Sequence, residues 1–218
     1  MHRQHRSLLL AAAIIGVAPG AQATLMEYTD KGSFLAAVEA DYYLEDFQGL
    51  TPDDSPASLT LGPVNGYGYS AQASSGALYF SGDVGSSGNT VLSTSSNTAS
   101  LEISFTGDGV TALGGFFFPT DIDSAAQTSA MTLTFNGDID FNTSDITLSD
   151  FYGFTSDVPI TTLSIDYSTC GSSSCYPTLD DFYVGSASTA DAPVPTTGAL
   201  LAAGLLVMGA RRDLLSGC

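Results

Sequence analysis

Leu101, Ile103 and Phe105 alternate with Glu102, Ser104 and Thr106, and Met131, Leu133 and Phe135 alternate with Thr132 and Thr134. A period of two sends successive side chains to opposite faces, so each stretch fits a strand with one buried and one wet face and no helix. Gly107-Asp108-Gly109 and Asn136-Gly137 follow these runs with the residues that tight hairpin turns require. Further strands are expected over residues 44–50, 78–80, 90–92, 110–118, 160–167 and 179–184. Residues 51–63 are rich in Pro, Asp and Ser and are expected as loop, as is most of the Gly/Ser/Asn/Thr stretch 81–100. One helix is expected early: Asp30 can cap it, and Phe34, Ala37 and Val38 would share a face. Many short strands, polar turns and one short N-terminal helix predict an all-β protein, an antiparallel β-sandwich of jelly-roll type.

The two ends read as addresses. Arg3 and Arg6, the apolar run 8–17 and the small-residue site Ala21-Gln22-Ala23 make a secretory signal peptide over residues 1–23, cleaved before Thr24. At the other end, Val194-Pro195-Thr196-Thr197 leads into an apolar run from Gly198 to Ala210, then Arg211-Arg212. As a helix that run would be about 20 Å long at ~1.5 Å per residue, short of the ~20 residues of a comfortable membrane span. It fits a segment that holds the chain at a membrane transiently for processing, with the arginines cytoplasmic; an anchor that is never cut is the alternative. The expected organisation is signal peptide 1–23, body 24–185, linker 186–193, sorting signal 194–212 and tail 213–218.

The body is acidic to an unusual degree. Of the 23 acidic residues, 22 lie between Glu27 and Asp191, against the single base Lys31, a net charge of about −21. It has no His, Arg or Trp. Ser-His-Asp and Cys-His catalysis are therefore excluded, and zinc lacks its commonest ligand. A chain with one cation cannot hold phosphates, so nucleic acid is excluded as a partner, and acidic polysaccharides and lipids are repelled unless divalent cations intervene. The acid–base chemistry left is a pair of carboxylates. Disorder is the alternative for so acidic a chain, but the apolar alternation and the aromatics argue for a fold.

Cys170 and Cys175 enclose four small residues, and in an exported chain they are expected to form a disulfide that pins a loop. Asp121 with Asp123, Asp138 with Asp140, and Asp180 with Asp181 are candidate calcium ligands, because Asp-x-Asp on a loop turns two carboxylates to one side. No known calcium-loop spacing is present, and solvated acidic loops are the alternative. Tyr67, Tyr69, Tyr152, Tyr176 and Tyr183 are candidates for a sugar-stacking platform or for core packing. Asn142-Thr143-Ser144 fits a glycosylation sequon.

The tail resembles the PEP-CTERM sorting signal of Gram-negative, exopolysaccharide-producing bacteria, in which Val-Pro-Glu-Pro precedes a Leu/Gly/Ala-rich segment and an arginine cluster. Val194 and Pro195 match; Thr196 and Thr197 stand where Glu and Pro usually stand. The rival is the Leu-Pro-x-Thr-Gly sortase signal, which Val194 to Gly198 also resembles. Residues 34–38 with Asp46-Phe47-Gln48-Gly49-Leu50, residues 151–157 with 159–161, and residues 179–185 resemble stretches of PEP-CTERM proteins too. The resemblance implies processing by an exosortase and association with exopolysaccharide, biofilm or the outer surface. The expected function is a non-enzymatic surface protein binding extracellular polysaccharide, with calcium as a candidate cofactor. The alternatives are a carboxylate-dependent glycosidase or lyase on the same scaffold, and a ligand-free coat protein.

Overall fold

The computed structural model describes residues 24–188 apart from 85–87, 108, 168–169 and 171–173. Its elements are β1 (Leu25–Tyr28), α1 (Lys31–Ala36), β2 (Tyr43–Glu45), β3 (Ser58–Val64), β4 (Tyr67–Ala73), β5 (Leu78–Ser81) and β6 (Val91–Thr94). They continue with β7 (Leu101–Thr106), β8 (Ala112–Thr120), β9 (Ser129–Phe135), β10 (Ile139–Ile146), β11 (Phe151–Ser156), β12 (Thr162–Tyr167) and β13 (Tyr176–Gly185). Two antiparallel sheets result. The seven-stranded sheet runs β1-β11-β8-β13-β6-β5, with β2 paired to β13; the six-stranded sheet runs β10-β9-β12-β7-β4-β3. From β6 to β13 the chain changes sheet at every connection except the β9–β10 hairpin. That hairpin turns on Asn136 and Gly137, with φ of 55° and 78°, the left-handed pair its sequence predicts.

The two sheets close on one apolar core. The seven-stranded sheet contributes Leu78, Leu92, Leu113, Phe117, Phe154, Leu179 and Phe182, and the six-stranded sheet Tyr69, Leu101, Ile103, Leu133, Phe135 and Ile165. Rings meet across the sandwich edge to face, Phe135 on Phe154 at 4.9 Å and Tyr69 on Phe182 at 5.2 Å between centroids. These inward residues are the alternating apolar ones, and their neighbours face out, as the period of two requires.

A second cluster covers part of the outer face of the seven-stranded sheet: Phe34, Val38, Ala112, Phe151 and Tyr183. Asp30 starts α1 by accepting from Ser33 N at 2.7 Å and Ser33 Oγ at 2.8 Å, and these bonds hold its carboxyl below the usual range. The helix delivers Phe34 onto Gly114 and Gly153, cross-strand partners on β8 and β11. A Cβ on Gly153 would stand 2.6 Å from Phe34 Cγ, and one on Gly114 would stand 3.0 Å from Phe34 Cε1. Glycine is needed here for close approach, not for its backbone freedom.

Two expectations change. Residues 51–63 are not all loop, because β3 begins at Ser58; it is an edge strand with only Leu59 and Leu61 half-buried, so its apolar signal is thin. The strand expected over 44–50 stops at Glu45, since Phe47 takes φ 56° and turns the chain into the core. Where the expected linker begins, Ala187 bridges Val38 and Ser188 N donates to Ala37 O at 2.8 Å. Ala21 and Ala23 of the signal site, and Val194, Pro195, Thr196, Thr197, Arg211 and Arg212 of the tail, lie outside the described residues. Among the described residues no helix is long and apolar enough to cross a membrane.

Substituting Gly153→Ala should destabilise the fold by about 1–3 kcal/mol through overpacking against Phe34. Urea unfolding would show a lower midpoint with an unchanged slope; a wild-type midpoint would mean that Phe34 does not rest on the glycine pair.

Candidate functional site

Strand register fixes what the outer face of the seven-stranded sheet presents. Leu78 and Phe80 point into the core, so Tyr79 and Ser81 of β5 point out. Tyr79 pairs with Ser93, Ser93 with Thr178, and Thr178 with Phe118, while Tyr176 pairs with Thr120 and Asp180 with Phe116. A row of hydroxyls therefore crosses three strands and ends at Phe118 on β8, next to a row holding a carboxylate.

Over the hydroxyl row lies a cleft of about 320 Å³, lined by Tyr79, Ser81, Ser93, Thr94, Ser95, Thr120, Asp121, Ile122, Ser124 and Tyr176. That is the lower end of ligand-site volumes, the size for one ring and not a large cofactor. Its floor is a hydrogen-bonded chain: Thr120 Oγ1 to Thr178 Oγ1 at 3.0 Å, Thr178 Oγ1 donating to Ser93 Oγ at 3.2 Å, and Ser93 Oγ donating to Pro177 O at 3.0 Å. Ser81 also lines it, 1% exposed, and its Oγ has no hydrogen-bond partner. Tyr79 is fixed by donating its hydroxyl to Asp53 Oδ1 at 2.7 Å, which raises its pKa.

A second cleft of about 300 Å³ on the same face is lined by Val84, Asn89, Val91, Phe116, Leu148, Asp180 and Asp181. Here β13 bulges against β8 between Asp180 and Tyr183, and Asp181 takes φ 45°. Lys31 reaches the bulge from α1: its Nζ is 3.4 Å from Asp181 Oδ2, 4.9 Å from the Tyr183 ring centroid and 5.8 Å from that of Phe116. Burial opposes the Lys31 charge, but Tyr183 and Asp181 outweigh it and its pKa is raised. Asp180 is pushed up to about 6, first by burial, then by the charges of Asp181 and Asp46 against the opposing Asp181 N–H bond and Lys31. A third cleft, lined by Asp30, Lys31, Phe116, Asp150, Phe151 and Tyr152 among others, continues from Phe116.

The candidate residues fall differently from their sequence grouping. Among the described residues no three His, Cys, Asp or Glu side chains gather as metal ligands. Asp121 Oδ1 accepts from Asp123 N at 3.0 Å and Ala125 N at 2.9 Å, and its Oδ2 from Gln127 Nε2 at 2.8 Å, so its carboxylate clamps its own loop. Asp140 accepts from Thr134 across the β9–β10 hairpin, and Asp138 N closes the turn to Phe135 O. The five tyrosines do not make one platform: Tyr67, Tyr69 and Tyr183 are buried, Tyr176 lines the first cleft and Tyr152 the third. Cys170 and Cys175 stand at disulfide distance, their Cα atoms 5.6 Å apart. Sequence reasoning missed Ser81, Ser93 and Thr120; the available signal was the outward Tyr-x-Ser of β5.

Asp180 makes stability pH-dependent with a fixed sign. Its folded pKa exceeds the ordinary 3.8, so between about pH 4 and 6 the native chain keeps a proton the unfolded chain has released. Its contribution is complete below that window and is lost as pH rises through 6. After solvent screening the loss should be on the order of 1 kcal/mol. Wild type should therefore lose that much relative to Asp180→Asn between pH 4 and 7 in urea unfolding; parallel profiles would place Asp180 in open solvent.

Comparison with family models, with curated proteins and with solved structures finds no match to this chain.

Proposed function

We propose that this chain is an exported, non-enzymatic protein that associates with extracellular polysaccharide through the outer face of its seven-stranded sheet. The observation that carries this reading is the tyrosine- and hydroxyl-lined cleft, followed on the same face by two more. Hydroxyl floors with aromatic walls suit sugars, whose hydroxyls need partners and whose apolar faces pack on rings. The charge of the body selects among sugars: with 21 carboxylates and one lysine over residues 24–185, uncharged polymers approach and anionic ones are repelled.

The strand order supports the jelly-roll reading. β6 to β13 lie as 6-13-8-11 in one sheet and 7-12-9-10 in the other, the interleaving that two nested Greek keys produce. Delivery rests on the sequence: the signal peptide 1–23, then the tail 194–212, cut by an exosortase-type enzyme or, in the rival reading, a sortase. The protein then belongs at the cell surface or in the matrix. Calcium stays outside the reading, since Asp121 is committed to its loop and no three carboxylates gather as metal ligands among the described residues.

The second reading, a carboxylate-dependent glycosidase or lyase, is favoured by Asp180, whose pKa near 6 in a cleft beside Asp181 suits a general acid. Two assays separate the readings. The purified mature protein should be retained on the producing cell's exopolysaccharide or on neutral insoluble polysaccharides, should pass through polygalacturonate, and should release no reducing ends. Release that Asp180→Asn abolishes would replace binding by hydrolysis, and no retention on any polysaccharide would leave a coat protein. Deleting Val194-Pro195 should stop tail processing; unchanged surface delivery and processing would sink the sorting reading.

A further inference from the structure

We infer that the cleft between Tyr79 and Tyr176 is the seat for one uncharged sugar ring, with the Ser81 hydroxyl as the polar group the ligand completes. This deepens the polysaccharide reading and rests on it. Four strands distant in sequence bring their hydroxyls to one floor, and three of those hydroxyls are already bonded to one another or to Pro177 O. Ser93 and Thr120, the two of them that line the cleft, keep further acceptor capacity, as a sugar hydroxyl would use. Ser81 differs from them: it is 1% exposed, faces the same side as Tyr79, and its Oγ has no partner. A hydroxyl removed from water without a partner destabilises the fold, so its presence under a cleft of ring size points to a ligand that hydrogen-bonds there.

The walls set the chemical class. The two tyrosines offer ring surface, and Ile122, 75% exposed, stands as an apolar lip held in place by the Asp121 clamp. Among the described residues the only charged group lining the cleft is Asp121, with no lysine or arginine. A carboxylated or sulfated sugar would meet a negative rim with no cation. An ammonium would meet a carboxylate already accepting three N–H bonds. An uncharged ring avoids both penalties.

The test is titration of neutral hexose trisaccharides and of trigalacturonate into the mature protein, followed by ligand-observed NMR and by polysaccharide retention. Neutral trisaccharides should bind and trigalacturonate should not. Ser81→Ala should weaken binding roughly tenfold, the worth of one hydrogen bond, while raising the melting temperature of the free protein, because the orphan hydroxyl is gone. Ile122→Asp, on an exposed lip that the fold does not need, should abolish binding without changing that temperature. Val64→Ser, exposed on edge strand β3 of the other sheet, should leave trisaccharide affinity unchanged. Wild-type affinity in both Ser81→Ala and Ile122→Asp, with polysaccharide retention intact, would overturn this seat and leave the broader reading standing. Loss of retention by the wild type on every polysaccharide would overturn both.

Discussion

One lysine has to serve the 22 carboxylates between Glu27 and Asp191, and that shortage governs where polarity is placed. A carboxylate taken into an apolar core without a cation loses its hydration with nothing in return. Every buried polar residue among those described is accordingly a serine or threonine: Ser81, Thr90, Ser93, Thr94, Thr120, Ser129, Thr155, Ser156 and Thr178. Hydroxyls are neutral and can bond to one another or to a passing carbonyl, so they enter where acids cannot. The exception tests the rule: Asp180 and Asp181 are half-buried at the β13 bulge, and Lys31 is placed there.

Lys31 depends in turn on α1. The helix has only six residues, too few to hold together by its own hydrogen bonds, so it is stabilised by Asp30 at its start and Phe34 on its inner side. Phe34 packs edge to face or tilted against Tyr28, Phe151 and Tyr183, and it reaches the sheet because Gly114 and Gly153 leave room. Removing either glycine would lift the ring, tilt the helix and carry Lys31 away from Asp181. The glycine pair and the only ion pair among the described residues are thus linked through one aromatic side chain.

Much of this fold was legible and the site was not, for one physical reason. Strands such as β7 and β9, and the Asn136-Gly137 turn, are encoded by neighbours in sequence, and local pattern finds them. β4 escaped because its outward Gly68, Ser70 and Gln72 and its small Ala71 and Ala73 weaken the contrast between faces; β3 escaped because an edge strand buries little. The floor of the cleft assembles from Ser81, Ser93, Thr120 and Thr178, spread over β5, β6, β8 and β13, so it exists only once strand order is known. Aspartates drew attention in the sequence because charge is conspicuous there. In three dimensions Asp30, Asp121 and Asp150 each close a local turn or helix start through backbone N–H groups, the ordinary work of short acidic side chains.

The same strand that builds the cleft runs to the end of the described chain. β13 begins at Tyr176 on the cleft wall and ends at Gly185, a strand of ten residues, which is about 30 Å at ~3.3 Å per residue. Beyond it Ser186 Oγ donates to Gly109 O, Ala187 N donates to Thr111 Oγ1, and Ser188 N donates to Ala37 O. The described chain therefore ends on the α1 side of the body, fastened at three consecutive residues. A force applied beyond Ser188 loads these bonds and the end of β13 before it reaches the hydroxyl floor. In the reading proposed above, attachment through the C-terminus and recognition at the cleft then fall at opposite ends of one central strand.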